Sequence, residues 1–359
     1  MADRRTDGPA DELREPAARP AVRLSTLVIQ TAFLGDVVLT TPLLSALSER
    51  SGPVDVLTTP AAATLLEGHP AVRTVIRYDK HGLDRGFREL RRVSARLRAG
   101  DYSAVYLPHR SFRSALLALL TGAPNRIGFA GTLAAALYTT RVPRPATGHE
   151  VERLLTLLGG TTAPPVSLGL TSEDHATAEE WLQANGVPAG FVALAPGSIW
   201  GTKRWPYYPE LAAGLDRPSV VVGGAEDSTL AMDIVAAAPG RAASATGKLS
   251  LRASAALISR AAALVTNDSA PLHLATAVGT PVVAVFGPTI PQFGFGPRGV
   301  GDVALGREGL SCRPCSRHGP QKCPLGHHRC MRDQSVETVA AALVAVLSRE
   351  ESRAICPRS

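Results

Sequence analysis

Short apolar segments alternate with stretches of helical periodicity from residue 24 to about residue 349, a rhythm that few folds accommodate. Strand-like runs at 27–29, 54–57, 72–77, 104–107 and 125–129 are each followed by a stretch able to form a helix or turn. The rhythm pauses over 161–170, where paired prolines suit a linker, and then resumes. Further strands are predicted at 191–195, 219–222, 242–245, 263–266 and 281–286, with helices between them. A strand that rejoins its sheet through a helix runs parallel to its predecessor by a right-handed crossover. The pattern therefore predicts an α/β chain of two Rossmann-like domains, 21–168 and 169–335, facing one another. A polar, charged leader over 1–20 reads as disordered, and a last helix over 336–349 is free to pack on either domain.

In open parallel sheets, ligands bind at the carboxyl edge of the strands, so the loops that leave each strand carry the chemistry. The first such loop ends in a lone carboxylate, Asp36, next to Gly35, which allows a sharp turn. Thr41 and Pro42 read as N-cap and first residue of the following helix, over about 42–50. Asp36 is then a candidate general base; the alternative is an acid favoured by the helix dipole.

The charge is unevenly spread. Residues 1–20 carry 4 basic and 5 acidic side chains, residues 21–168 carry 17 and 10, and residues 169–359 carry 17 and 16. The excess of seven positive charges in the first domain points to an anionic partner, or else to an arginine-rich solvated surface. Its densest part is an amphipathic helix over 83–98, with Leu83, Phe87, Leu90 and Leu97 on one face and Arg85, Arg88, Arg91, Arg92, Arg96 and Arg98 around the rest. No apolar run approaches the roughly 18 residues of a spanning helix, which suggests a cytoplasmic protein or one lying on a membrane face.

Three loops of the second half suit a nucleotide. The segment from Pro196 to Pro206 offers Gly197, Ser198, Lys203 and Arg204, a set of backbone donors, hydroxyls and cations suited to a diphosphate. Trp200 and Trp205 within it suit stacking on a base or sugar, or packing. After Val220–Val222, Gly223 and Gly224 lead to Glu226, placed to accept ribose hydroxyls, and to Asp227, an acid at a helix start. The third loop, Asp268-Ser269-Ala270-Pro271, opens a short helix whose N-terminus can hold anionic oxygens, with His273 one turn in. Capping by Asp268 and Ser269 and a core role for His273 are the alternatives. No G-x-G-x-x-G occurs, which argues against an ordinary nicotinamide or flavin site.

Cys312, Cys315, Cys323 and Cys330 cluster with His318, His327 and His328. A structural metal is chemically feasible, but only one C-x-x-C pair occurs, so packed or redox-sensitive thiols are the preferred reading; no metal is assigned to the reaction. Cys356 lies in the tail.

With these stretches identified, the chain resembles glycosyltransferase family 9, the bacterial heptosyltransferases of the lipopolysaccharide inner core. The resemblance runs over about 24–345 and rests on Gly35-Asp36-Val37-Val38-Leu39-Thr40-Thr41-Pro42, His149-Glu150 with Arg153, Lys203-Arg204-Trp205-Pro206, and Asp268-Ser269 with His273-Leu274-Ala275. The Cys-Arg-Pro-Cys stretch with Gly326-His327-His328 and Cys330 looks most like the heptosyltransferase II branch. The resemblance implies a GT-B fold, an N-terminal acceptor domain, a C-terminal nucleotide-sugar domain, and inverting transfer without metal or cofactor. It implies Asp36 as base, Ser198, Lys203, Glu226, Asp268, Ser269 and His273 on the donor, and, loosely, Arg110, Arg113 and Arg126 on an anionic acceptor. ADP-heptose is the implied donor, a lipid-linked oligosaccharide the acceptor, and the inner face of the cytoplasmic membrane the location. Ala270 departs from the family, which often carries Gly there, and bears on the donor's fit. The rival readings are a family member using another nucleotide sugar, a sugar-nucleotide epimerase that needs no acceptor, and a non-enzymatic nucleic-acid or metal-binding protein.

Overall fold

The computed structural model describes residues 25–80, 82, 86–160 and 162–355. The expectations for the leader over 1–20, Leu83, Arg85, the Phe87 side chain and Cys356 lie outside those residues.

Two parallel six-stranded sheets form. The first contains β1 (Thr26–Ile29), β2 (Val54–Thr58), β3 (Val72–Arg77), β4 (Ala104–Leu107), β5 (Asn125–Phe129) and β6 (Thr140–Val142), in the order β3-β2-β1-β4-β5-β6. The second contains β7 (Val192–Ala195), β8 (Ser219–Val221), β9 (Ala242–Ser244), β10 (Ala263–Asn267), β11 (Val282–Phe286) and β12 (Val303–Gly306), in the order β12-β11-β10-β7-β8-β9. Numbered within its own half, each sheet has the order 3-2-1-4-5-6. Both are doubly wound, and the crevice where the order reverses lies between β1 and β4 in one and between β7 and β10 in the other. The central strands are buried on both faces, as their continuous apolar runs require.

One core runs through both halves. Val28, Leu43 and Leu44 belong to the same buried cluster as Phe191, Leu264 and Leu272, and the helices Leu34–Ser51 and Ala270–Val278 pack together where the halves meet. The outer layers have separate cores. Leu90, Val93 and Leu97 with Ala115 and Leu117 cover the first sheet, while Val339, Leu343 and Val346 of the last helix cover the second.

The structure differs from the sequence reading in three places. The first long helix begins at Leu34, so Thr41 and Pro42 are interior to it. Pro42 has no N–H for the Val38 carbonyl, but the Thr41 hydroxyl donates to that carbonyl at 2.8 Å and the Thr40 hydroxyl to the Asp36 carbonyl at 2.7 Å. Side chains thus replace part of the backbone ladder where the sequence looked like a helix start. Strands β6 and β12 lacked a signal because they are short edge strands, neither of them fully buried. The last helix runs Val336–Ile355 and covers the second sheet.

Candidate active site

Asp36 stands in the first turn of the helix Leu34–Ser51, just beyond the carboxyl end of β1, with its Oδ2 accepting from the Phe33 N–H at 3.1 Å. The turn lies directly against the second domain. A Cβ added at Gly35 would fall 2.5 Å from His273 Cδ2, so glycine is what permits the approach. Burial pushes the Asp36 carboxyl up to about 6, helped by the negative charge of Glu150 and opposed by the Phe33 N–H and Arg144. Glu150 is itself buried and paired with Arg144. Its own backbone N–H donates to Gly294 O at 2.8 Å, while His149 Nε2 lies 3.0 Å from Gly296 O and Arg153 Nη1 donates to Phe293 O at 2.6 Å. The His149–Arg153 segment therefore straps the first domain to the second beside Asp36.

Across the cleft, the loops after β7 and β10 meet over the second switch point. Lys203 Nζ is 2.6 Å from Asp268 Oδ2 and donates to Asp268 O at 3.2 Å, and the Thr289 hydroxyl donates to the same carboxylate oxygen at 2.6 Å. Both ions are buried. Lys203 is thus an ammonium fixed by its partner, with a further N–H to offer. Ser269 precedes the helix Ala270–Val278, yet its side chain does not cap it; its buried hydroxyl has no partner among the described residues. An unpartnered buried hydroxyl at a helix N-terminus suits an anionic oxygen from outside the chain. Ser198 holds its loop: its carbonyl accepts Arg204 Nε and Nη2 at 3.0 and 2.9 Å.

Glu226 is exposed just beyond β8, in the turn Ala225–Asp227. The Asp227 carboxylate accepts the Gly224 N–H at 3.2 Å and lies where a Cβ on Gly197 or Gly223 would stand, 2.3 and 2.5 Å away. Asp227 therefore packs the two loops together. His273 is buried, its ring in edge contact with Phe295 (centroids 6.3 Å apart), and burial lowers it to about 4, so it is neutral.

The three arginines expected on the acceptor side do not stay together. Arg110 follows β4 at the first switch point, is exposed, and makes no ion pair or hydrogen bond among the described residues. Arg113 instead lies over the Tyr78 ring at 5.3 Å. Arg126 is at the opposite, amino edge of β5, donating to Leu137 O at 2.9 Å and Ala123 O at 2.6 Å. Two residues that the sequence reading did not single out, Arg144 and Arg317, act on Arg110 by their charge. After burial, the positive charges of Arg144 and Arg317 are the largest influences depressing Arg110, with Glu150 opposing them. Arg317 is exposed and next to His318, which stacks on Trp200 at 6.1 Å and meets Phe33 edge-on at 5.9 Å, so the segment lies between the two domains. No local pattern marks such a contact, since it depends on a long loop folding back across both domains.

That loop holds the cysteines. It is anchored on the Lys203 loop, with Gln321 Nε2 donating to Ile199 O at 2.9 Å and His328 Nε2 lying 2.9 Å from Thr202 O. Cys312, Cys315, Cys323 and Cys330 are free thiols, and among the described residues no group of three or more His, Cys, Asp or Glu is arranged to hold a metal. Burial and the other three thiols push Cys330 up to about 11.

The model of "Glycosyltransferase family 9 (heptosyltransferase)" matches residues 90–324, which is most of the chain. The chain belongs to glycosyltransferase family 9. Among curated family relatives, lipopolysaccharide heptosyltransferase 2 of Escherichia coli K12 is 30% identical over 302 residues, covering 75% of this chain and 84% of that one. Lipopolysaccharide heptosyltransferase 1 of Pseudomonas aeruginosa is 29% identical over 313 residues, covering 81% and 86%. Among solved structures, the family 9 glycosyltransferase of Veillonella parvula superposes with a TM-score of 0.81 at 25% identity, over 92% of this chain and 99% of that one. The E. coli ADP-heptose lipopolysaccharide heptosyltransferase II gives 0.75 at 26% identity, over 91% and 99%. The protein is therefore a glycosyltransferase, and its two facing Rossmann-like domains are the GT-B fold.

Proposed function

We propose that this family 9 enzyme transfers heptose from ADP-heptose to an anionic, lipid-linked inner-core oligosaccharide of lipopolysaccharide, inverting the anomeric carbon and using no metal. The observation that carries the reading is the close approach of Gly35 to His273, which brings the turn of Asp36 against the helix that Ser269 opens, where a buried hydroxyl has no partner among the described residues and Lys203 is paired with Asp268. Asp36 takes the proton of the acceptor hydroxyl as its oxygen bonds to the anomeric carbon. The bond from that carbon to the diphosphate oxygen breaks on the opposite face, and the electron pair leaves with ADP. Ser269, the N-terminus of Ala270–Val278, the loop of Ser198 and the ammonium of Lys203 meet the growing charge, which a metal would otherwise neutralise. Asp268 keeps Lys203 in place, Glu226 accepts the ribose hydroxyls, and His273 packs as a neutral wall.

Arg110, Arg144 and Arg317 take the acceptor's carboxylates or phosphates, a role that Arg113 and Arg126 do not share. The two readings of Asp36, base or dipole acid, separate experimentally. Purified protein given ADP-heptose and a heptose-deficient core acceptor should release ADP, and replacing Asp36 by Asn should reduce that release by about 10²–10⁴-fold, the usual worth of a positioned base. An unchanged rate in the Asp36→Asn enzyme excludes the base role. Donor turnover without acceptor identifies an epimerase instead.

A further inference from the structure

Among the described residues, no helix is long and apolar enough to cross a membrane. An enzyme acting on a lipid-linked acceptor must nevertheless meet one, and the outer layer of the first domain has a surface of the right composition. Of the ten exposed large apolar side chains among the described residues, four lie there: Phe112 at 57%, Leu119 at 38%, Leu120 at 37% and Leu133 at 88% exposure. Phe112, Leu119 and Leu120 belong to one helix, Phe112–Leu120, at spacings of seven and eight residues, which is one face of a helix. Leu133 opens the short helical turn Leu133–Leu137 packed beside it. The other six exposed apolar side chains are dispersed along the chain from Phe33 to Val344, with no comparable stripe.

The neighbouring element is cationic. The helix Phe87–Arg98 carries Arg88, Arg91, Arg92, Arg96 and Arg98 against one acid, Glu89, a net +4 (five minus one), and all five arginines are exposed. Both helices cover the same face of the first sheet through one apolar cluster, so their outer faces are adjacent. They also touch: a Cβ on Gly122, in the turn that ends Phe112–Leu120, would lie 3.7 Å from Arg98 Nε. The helix Phe112–Leu120 contains no acid, and Phe112 is two residues from Arg110 at the cleft mouth. A cationic face bordering an exposed Phe/Leu stripe is the composition of an interfacial membrane-binding surface, in which the charges attract anionic headgroups and the apolar side chains enter the headgroup boundary.

We propose that the layer formed by Phe87–Arg98, Phe112–Leu120 and Leu133–Leu137 docks the enzyme on the anionic leaflet of a bilayer, holding the cleft mouth at the height of a lipid-linked acceptor's sugars. The proposal rests on the reading of the acceptor as lipid-linked. Charge complementarity favours lipid over a second copy of this chain, whose identical +4 helix would face its own kind. The test is co-sedimentation of the full-length protein with vesicles of phosphatidylethanolamine and phosphatidylglycerol, or of phosphatidylcholine alone. Binding should require phosphatidylglycerol, weaken with added salt, and fall about tenfold or more in Arg91→Glu/Arg96→Glu. The pair Phe112→Ser/Leu133→Ser should likewise lose binding, whereas Met232→Ser, at a side chain 64% exposed on the other domain, should not.

Circular dichroism melts confirm that each variant is folded. Equal binding by the paired variants and Met232→Ser overturns the proposal, as does binding indifferent to lipid charge. So does a self-association that these substitutions abolish in the absence of vesicles. Transfer to a delipidated, soluble acceptor separates the two readings. If that reaction fails while vesicle binding behaves as stated, the acceptor assignment falls and the docking surface stands; the converse result removes only the docking surface.

Discussion

Replacing Asp36 by Asn should make the protein more stable at neutral pH while removing its chemistry. The carboxyl is raised from 3.8 to about 6 chiefly by burial, with Glu150 adding to it. At about 1.36 kcal/mol per tenfold change, that difference corresponds to about 3 kcal/mol against the ionised form. Asp36 keeps partial contact with solvent, so screening lowers the expected cost to ~1–2 kcal/mol. The sign follows from the direction of the shift. A carboxyl whose folded value exceeds its unfolded value favours folding while protonated, and that contribution is lost as pH rises through about 6. At pH 8 the wild type therefore bears the cost of a buried charge that Asn does not have, and Asn can still accept the Phe33 N–H. Asp36→Asn should melt a few degrees higher than wild type at pH 8, by roughly 2–4 °C per kcal/mol for domains of this size. The difference should close as pH falls well below 6. Differential scanning fluorimetry across pH, beside acceptor-dependent ADP release, measures both halves of the prediction. A melting difference independent of pH, or a transfer rate equal to wild type, refutes the reasoning.

The remaining predictions concern the opposite wall and the acceptor. Lys203→Ala strands the buried Asp268 carboxylate with only Thr289, so chemical denaturation should show a loss of ~3–5 kcal/mol, part of it restored by removing Asp268 as well. Ser269→Ala removes a hydroxyl that has no partner among the described residues, so the unliganded melting temperature should not fall, while calorimetry should show weaker ADP binding by roughly tenfold, the loss of one charge-assisted hydrogen bond. Arg317→Ala should raise the KM for an anionic acceptor several-fold at low salt and leave the donor KM unchanged; Arg126→Ala, at the far edge of β5, should leave both unchanged.

The fold was legible because its signal is repeated. Each buried strand is a short apolar run and each connection a helical stretch, so both halves declared parallel sheets independently. What failed was local. Pro42 read as a helix start because the sequence does not reveal that Thr41 covers the Val38 carbonyl. The edge strands β6 and β12 are not fully buried and so carry little apolar pattern. That the loops carrying Asp36, Lys203, Asp268 and Ser269 come together was legible, because loops at the carboxyl edge of parallel strands converge by topology. The placement of the arginines was not, because composition does not say which edge of the sheet a guanidinium occupies. Arg126 and Arg110 look alike in sequence, yet they lie at opposite edges of the same sheet. The nearness of Arg317 to Arg110 had no sequence signal for a different reason: its segment is placed by the tertiary contacts of His318 with Phe33 and Trp200.

The central claim is that Asp36 and the Ser269 helix act on one substrate pair across the cleft, and acceptor-dependent ADP release from ADP-heptose tests it most directly. Release that requires the heptose-deficient core acceptor, continues in EDTA and disappears in Asp36→Asn is the predicted result. Release without acceptor, or undiminished release in Asp36→Asn, contradicts it.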